Sequence, residues 1–222
     1  MTELLDDLWA AADDQRRRTI ALLETLSADD WARPSLCDGW AIRDVVGHLL
    51  WQRDTNSVAH LLPVVGAMIR GGGDMNRAIA DLARRRAARH SHAELLAEVR
   101  TLPGHHKAVF GTGVINNLVD PIVHHHDIAL PLGRGLDADP RAAATAASWT
   151  WGQPKGFTLP VTVALARFRW KATDIDWERG EGPLIEGPMV AILCTLMGRE
   201  AAFAFLGGPG AEEAREVVRS VV

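Results

Sequence analysis

Apolar residues recur at spacings of three and four along most of the first 135 residues, which is the period of an amphipathic helix. Four helices are predicted on this basis, separated by turns that contain Gly, Pro, Ser and Asp. They run from about Leu4 to Leu26, from Ala41 to about Pro63, from Asp74 towards Arg100 with a candidate bend at HSHAE, and from near Val114 to Leu130. Four helices joined by turns suggest an antiparallel bundle.

The pattern changes after Gly133. GRGLDADP is typical of a linker, and a short alanine-rich helix is predicted over 141–147. LPVTVALARFRWKATDIDW then alternates between apolar and charged positions, which predicts a strand region, with Val161, Val163 and Leu165 on one face. PMVAILCTLMGR and AEEAREVVRSV predict two further helices. The expected class is α+β, with a four-helix bundle over 1–135 and a small α+β domain over 136–222.

Composition narrows the function classes. With 24 Lys and Arg against 28 Asp and Glu, the chain of 222 residues lacks the basic stripe that nucleic-acid binding needs. No apolar run is long enough to span a membrane, and the N-terminus does not resemble a signal peptide, so the cytoplasm is expected. Cys37 and Cys194 form no CxxC pair and are expected to be reduced thiols, not metal ligands. The expected partner is a small-molecule substrate, and the protein a monomer or homodimer.

The segment DPIVHHHDIALPLG, residues 120–133, is the main candidate for chemistry. Three successive histidines on a helix point about 100° apart, so one or two at most can reach the same ion. Asp120 and His124 are one helical turn apart on one face, and His48 lies among apolar residues of the second helix. Two ligands from one helix and one from another fit an open zinc site. The spacing also fits a hydrogen-bonded core histidine and a simple contact between Asp120 and His124.

SLCDGWAIRDVVGHL, followed about seventy residues later by VHHHDIALPLGR, resembles the N-terminal segments of the mycothiol-dependent maleylpyruvate isomerase family. That family belongs to the wider DinB-like superfamily of metal-binding four-helix bundles. WKATDIDWERGEGP and LMGREAAFAFLGGPG are similar to its C-terminal domain, which has a sterol-carrier-like α+β fold. The resemblance therefore spans nearly the whole chain and implies the same two-domain organisation.

By resemblance, the metal ligands are His48, Asp120 and His124. The family has a glutamate at the second position, so Asp120 is shorter by one methylene group, and Pro121 directly after it is unusual inside a helix. Either the helix begins near Pro121 with Asp120 as its N-cap, or it is kinked there. His126 or Asp127 could take the place of Asp120 as ligand.

The resemblance also implies Zn²⁺ or another divalent metal, with mycothiol as cofactor or cosubstrate. The implied reaction is a cis-trans isomerisation of the maleylpyruvate type or thiol S-transfer to a small electrophile. Arg199 matches an arginine that the family brings to its active site, where a guanidinium suits a carboxylate or enolate; an arginine at a helix end that interacts with the helix dipole is the alternative. A protein from another class also fits: a non-catalytic binder of small ligands with a degraded metal site.

Four further features have structural and functional interpretations. Asp44 could orient His48, although a surface carboxylate is the simpler expectation. Cys37 could be a reactive thiol, but a small buried residue in a turn is favoured. Trp40 and Trp51 could line a pocket, but packing in the core is favoured for both. The arginine-rich face of the third helix, residues 84–89, is expected to be solvated.

Overall fold

A computed structural model describes residues 2–51, 58–108, 113–154 and 159–221. The chain divides into two compact units, Met1–Gly135 and Leu136–Val222. The first is helical, and the second combines helices with a small sheet, so the predicted α+β class is confirmed. Among the described helices, none has both the length and the apolar character needed to cross a membrane.

Six α-helices are described in the first unit. They are α1 (Thr2–Glu24), α2 (Ile42–Leu49), α3 (Val58–Arg70), α4 (Met75–Arg89), α5 (His92–Val99) and α6 (Asn116–Ala129). Short 3-10 helices cover Asp30–Ala32 and Leu130–Leu132. Helix α1 packs against α6, and α2 packs against both α4 and α6. The apolar stripes that the sequence pattern identified therefore meet in one helical core.

Helix α2 lies at the centre of that core. Ile42, Val45 and Val46 are fully buried and belong to a cluster that includes residues of α1, α5 and α6. Gly47 allows α2 to approach α4 closely, because a Cβ there would lie 2.6 Å from the Ala83 carbonyl oxygen. A larger residue at Gly47 would push α2 away from α4.

Two prolines, Pro63 and Pro121, lie inside described helices of the first unit. Helix α3 continues through Pro63 to Arg70, so the prediction that the second helix ends near Pro63 is wrong; residues 52–57 of that predicted helix lie outside the described ranges. Helix α6 begins at Asn116 and contains Pro121, which excludes a helix start near Pro121 with Asp120 as N-cap. Each proline removes one backbone donor, and packing of the surrounding helix overrides that local cost.

The predicted bend in the arginine-rich segment is a complete break between α4 and α5. His90 and Ser91 are extended, and Ser91 caps α5: its hydroxyl accepts from the Glu94 amide while the Glu94 carboxylate accepts from the Ser91 amide. This reciprocal capping box explains why HSHAE starts a new helix.

A buried ion pair on α1, between Asp13 and Arg16, also binds the segment that follows α5. Arg16 and Asp13 are 3.0 Å apart, with side chains only 2% and 8% exposed. Asp13 also accepts from the Gly104 amide and contacts His106 Nε2, each at 2.9 Å. Burial by itself would raise the pKa of Asp13, but the hydrogen bonds from His106, Gly104 and Arg16 outweigh it and lower that pKa below its usual 3.8.

The second unit contains a three-stranded sheet among its described residues, in the order β2-β1-β3. Its elements are α7 (Pro140–Trp151), α8 (Pro160–Leu165), β1 (Arg169–Ala172), β2 (Glu178–Arg179), β3 (Leu184–Gly187), α9 (Met189–Leu196), a 3-10 helix (Glu200–Phe205) and α10 (Ala211–Val221). Strand β1 pairs antiparallel with β2, Trp170 opposite Arg179, and parallel with β3, Trp170 opposite Ile185. Helix α9 is buried along its whole length.

The strand predicted over Val161 to Leu165 is wrong, because these residues form α8. Pro160 occupies the first helical position, where its missing N–H is not needed. Val161 and Leu165 are buried one turn apart while Val163 is exposed, which is helical and not strand burial. The alternation produces a strand only from Arg169 onwards.

Candidate functional site

Two histidines from different helices of the first unit lie side by side. His48 is in the last turn of α2 and His124 in the middle of α6; their ring centroids are 4.8 Å apart, with an interplanar angle of 76°. His48 lies at the edge of the buried stripe of α2 and is partly exposed. Trp40 and Trp51 flank its ring at centroid distances of 5.4 and 6.5 Å. The pair of imidazoles therefore lies in a partly buried, aromatic environment.

Cys37 reaches His124 from the turn that precedes α2. In that turn the Trp40 amide donates to the Cys37 carbonyl at 3.0 Å, and Gly39 takes a left-handed φ of 66°. The Leu36 amide donates to the backbone carbonyl of Asp127 at 3.1 Å and so fixes the turn against α6. The Cys37 Sγ lies 3.8 Å from His124 Nδ1.

Asp127 holds the imidazole of His124. It lies one turn further along α6 on the same face, and its Oδ2 is 2.8 Å from His124 Nδ1 and 3.1 Å from Cys37 Sγ. Its side chain is 0% exposed. Burial alone would lower the pKa of His124, but the hydrogen bonds with Asp127 and Cys37 outweigh it and raise that pKa to about 10. His124 therefore donates its Nδ1 proton to Asp127, and Nε2 is the ring nitrogen on the other side.

Cys37, His124 and Asp127 offer a sulfur, a nitrogen and an oxygen atom that all lie within 4.8 Å of one another. These are the donor types that zinc accepts in proteins. Cys37 was not expected to be a ligand, and the structure brings its sulfur into this group. The signal was missed because Cys37 and Asp127 are 90 positions apart in sequence, and no local pattern joins them.

The three successive histidines point into three environments, as expected for a helix. His124 faces His48 and Asp127, whereas His125 Nδ1 lies 3.2 Å from the hydroxyl of Thr19 on α1. His126 Nδ1 donates to the Ile122 carbonyl of its own helix at 2.7 Å. Of the two alternative ligands named from the sequence, Asp127 is thus beside His124 and His126 is turned to the helix backbone.

The remaining candidate residues are distributed as follows. Asp120 is partly exposed on α6, one turn before His124 and on the same helical face. Asp44 caps α2, since its carboxylate accepts from the Ala41 amide at 3.0 Å. Arg199 belongs to the second unit, where it precedes the 3-10 helix and its Nη1 donates to the Met197 carbonyl at 2.6 Å. Its predicted catalytic role stays a prediction.

A cavity of about 500 Å³ opens beside the histidine pair. His48 and Trp51 line it from one side, and residues of α3 and α4 line the other. This volume is in the usual range for a small-molecule site. His48 thus faces both His124 and a space that a ligand could enter.

Two solved structures are similar to the chain over most of its length. Both align with 93% of the chain and 93% of their own length at 13% identity. They are the mycothiol-dependent maleylpyruvate isomerase, with a TM-score of 0.45, and a histidine-to-alanine mutant of it, with a TM-score of 0.48. Among curated proteins, none matches the chain significantly.

The decisive comparison is with a protein-family profile. Residues 12–129, more than half of the chain, match the family described as the mycothiol maleylpyruvate isomerase N-terminal domain. The matched segment includes Cys37, His48, Asp120, His124 and Asp127. The protein whose α2 and α6 carry these residues therefore belongs to the mycothiol maleylpyruvate isomerase N-terminal domain family.

Proposed function

We propose that this protein is a metal-dependent enzyme that uses mycothiol as cofactor or cosubstrate. The observation that carries the proposal is that His48 and His124 come together from separate helices beside a cavity, with their ring centroids 4.8 Å apart. Family membership supports the thiol as partner. The reaction class is a cis-trans isomerisation of the maleylpyruvate type or S-transfer to a small electrophile, and the site residues alone favour neither.

The donor atoms available suit Zn²⁺ or another divalent metal. In the proposed site His48, Asp120 and His124 are the ligands, which gives two imidazoles and one carboxylate and leaves a position for a thiol. Asp120 and His124 share a helical face, but among the described residues the donor atoms of His48, Asp120 and His124 do not form a group within 4.8 Å, so these side chains would have to move together to bind one ion. When bound, the metal would lower the pKa of a coordinated thiol and supply thiolate at neutral pH.

Asp127 and Cys37 have a supporting role in this proposal. A histidine ligand generally donates its second ring N–H to a carboxylate or carbonyl, which fixes its tautomer and ring orientation. The hydrogen bond from His124 Nδ1 to Asp127 has this form, and His124 would bind the metal through its other ring nitrogen, Nε2. A competing ligand set, Cys37, His124 Nδ1 and Asp127, is favoured by the short distances among those three atoms.

Metal analysis of variants separates the two ligand sets. Protein purified without a polyhistidine tag, dialysed without chelator, is expected to contain about one divalent ion per chain by elemental analysis. His48→Ala and Asp120→Ala should lose that ion, whereas Cys37→Ser should keep it. The reverse pattern would assign the ion to Cys37 and Asp127, and unchanged metal content in His48→Ala would refute the proposed site.

Activity assays then decide the reaction. The metal-loaded protein is tested with mycothiol and either cis-dienoic acids or small electrophiles, with His124→Ala as the inactive control. Arg199→Gln tests the proposed catalytic guanidinium, and a lower kcat with unchanged metal content is expected. A protein that takes up no metal and turns over neither substrate class would instead be the non-catalytic ligand binder.

The proposal extends to the cellular setting. A reduced low-molecular-weight thiol and two cysteines in the thiol form suit the cytoplasm. The partner is a small molecule, with neither nucleic acid nor membrane involved, and the protein acts as a monomer or homodimer.

A further inference from the structure

The cavity beside His48 has a cationic wall. Four of its lining residues are arginines: Arg70 on α3, and Arg85, Arg86 and Arg89 on α4. No aspartate or glutamate is among its described lining residues. The arginine-rich face that was expected to be merely solvated thus contributes three side chains to a cavity that also contains a candidate metal ligand.

Two carboxylates outside the lining partner some of this charge. The first, Asp81, pairs with Arg70 at 2.6 Å and with Arg85 at 2.8 Å. One carboxylate shared between two guanidinium groups leaves a net positive charge at that position. Such shared pairing also fixes both side chains near the cavity.

The other two arginines differ in their pairing. Arg86 forms an ion pair with the second carboxylate, Glu98 of α5, which is partly buried. Arg89 is exposed, and within the described ranges it forms no ion pair. Its guanidinium is therefore available to a ligand without breaking an existing contact.

Much of the remaining lining is apolar, beside the imidazoles of His48 and His90. Trp51, Ile79 and Leu82 contribute side chains to the lining, together with Pro63 and Val64 of α3. At about 500 Å³ the space is much larger than an inorganic anion needs. An apolar wall next to cationic groups suits an organic acid, whose carbon skeleton packs on the former and whose carboxylate pairs with the latter.

We propose that this cavity is a binding site for the carboxylate of a small organic acid, with Arg89 and Arg85 as its main anion-binding residues. His48 lines the same cavity, so an acid held there has its carbon skeleton beside the candidate metal site. The assignment of this acid as the enzyme's substrate rests on the proposed function. Anion binding itself does not, because the arginines are independent of the metal ligands.

The test measures anion binding to metal-free protein, so that a carboxylate on the metal cannot be mistaken for one on the arginines. Metal is removed with a chelator and its absence is checked by elemental analysis. Isothermal titration calorimetry then compares succinate with succinamide, its uncharged analogue. The wild type is expected to bind succinate and to show no measurable binding of succinamide.

Variants identify the binding groups. Because both guanidinium groups are exposed and solvent screens their charge, Arg89→Gln and Arg85→Gln should each weaken succinate binding by about two- to fivefold. Arg77→Gln is the matched control: it is an exposed arginine of the same helix outside the cavity lining, and should leave the dissociation constant unchanged. Melting temperatures near that of the wild type confirm that the variants are folded.

The outcomes for the anion site and for the enzyme are distinguishable. Absence of succinate binding to the wild type, equal binding of succinamide, or equal dissociation constants for the cavity and control variants would overturn the anion site. Loss of succinate affinity in Arg89→Gln, in a protein that never takes up metal, would support the anion site and refute the proposed enzymatic function. Metal uptake by a protein whose arginine variants bind succinate as the wild type does would refute the anion site and support the metal site.

Discussion

Replacing Asp127 by Asn is the most direct test of how His124 is oriented. Asparagine has nearly the same shape and its Oδ1 can still accept the Nδ1 proton, but the charge that now lies 2.8 Å from His124 Nδ1 is removed. The carboxylate is fully buried, so solvent screens this charge little. Loss of such a supporting partner typically weakens metal affinity by about ten- to a hundredfold, or about 1.4–2.8 kcal/mol.

The assay is competition for Zn²⁺ between the protein and a chromophoric chelator at neutral pH. Asp44→Asn serves as the control, because Asp44 is a partly buried carboxylate that caps α2 and has its hydrogen bond with the Ala41 amide. We expect stoichiometric but weaker binding in Asp127→Asn and unchanged binding in Asp44→Asn. Wild-type affinity in a folded Asp127→Asn protein would refute the orienting role, and complete loss of binding would make Asp127 a ligand.

Three further predictions concern stability. Asp13→Asn leaves the buried Arg16 charge without its partner and should lower the free energy of unfolding, measured in urea, by about 3–5 kcal/mol. Asp14→Asn, at an exposed ion pair, should lower it by less than about 1 kcal/mol, and equal losses would refute the argument. The pKa of Asp13 is lowered in the folded state, so its ionised carboxylate stabilises the fold above pH 3.8, and this stabilisation is lost as the pH falls through the folded-state pKa. The free energy of unfolding, measured as a function of pH in acid, should show this loss in the wild type but not in Asp13→Asn. Gly47→Ala should lower the free energy of unfolding by about 1–3 kcal/mol, because the added Cβ separates α2 from α4. It should also weaken metal binding by moving the neighbouring His48. An unchanged melting temperature and metal affinity would contradict the close packing against Ala83.

Helical periodicity predicted the long elements because their apolar stripes are many turns long. The helix that carries DPIVHHHDIALPLG was expected from near Val114, and α6 begins at Asn116. Short elements are harder to assign from periodicity, because a few residues can fit both a helical and a strand pattern. In the six residues of α8, Val161 and Leu165 fit both a strand face and a helical face, and only the exposure of Val163 separates the two. Helix α3 passes through Pro63 because tertiary packing overrides a local preference, which sequence propensity cannot register.

The site was accessible from the sequence in part. His48 and His124 come together because two amphipathic helices bury their stripes against each other, and the resemblance indicated which side chains to compare. The contact of Cys37 with Asp127 depends instead on one backbone hydrogen bond between a turn and a distant helix. Such a contact has no period and no spacing, so it becomes visible only in three dimensions.

The run of three histidines on α6 has a consequence for genetic experiments. His125 and His126 are almost completely buried and bonded to Thr19 and to the helix backbone, while His124 faces the site. In a scan of all substitutions, changes at His125 and His126 should therefore lower the amount of protein that accumulates in cells. At His124, substitutions that keep a hydrogen-bond donor for the buried Asp127, such as His124→Asn, should leave abundance comparatively intact and remove function. The three consecutive histidines would then separate into two mutant phenotypes, reduced protein abundance and loss of activity at normal abundance.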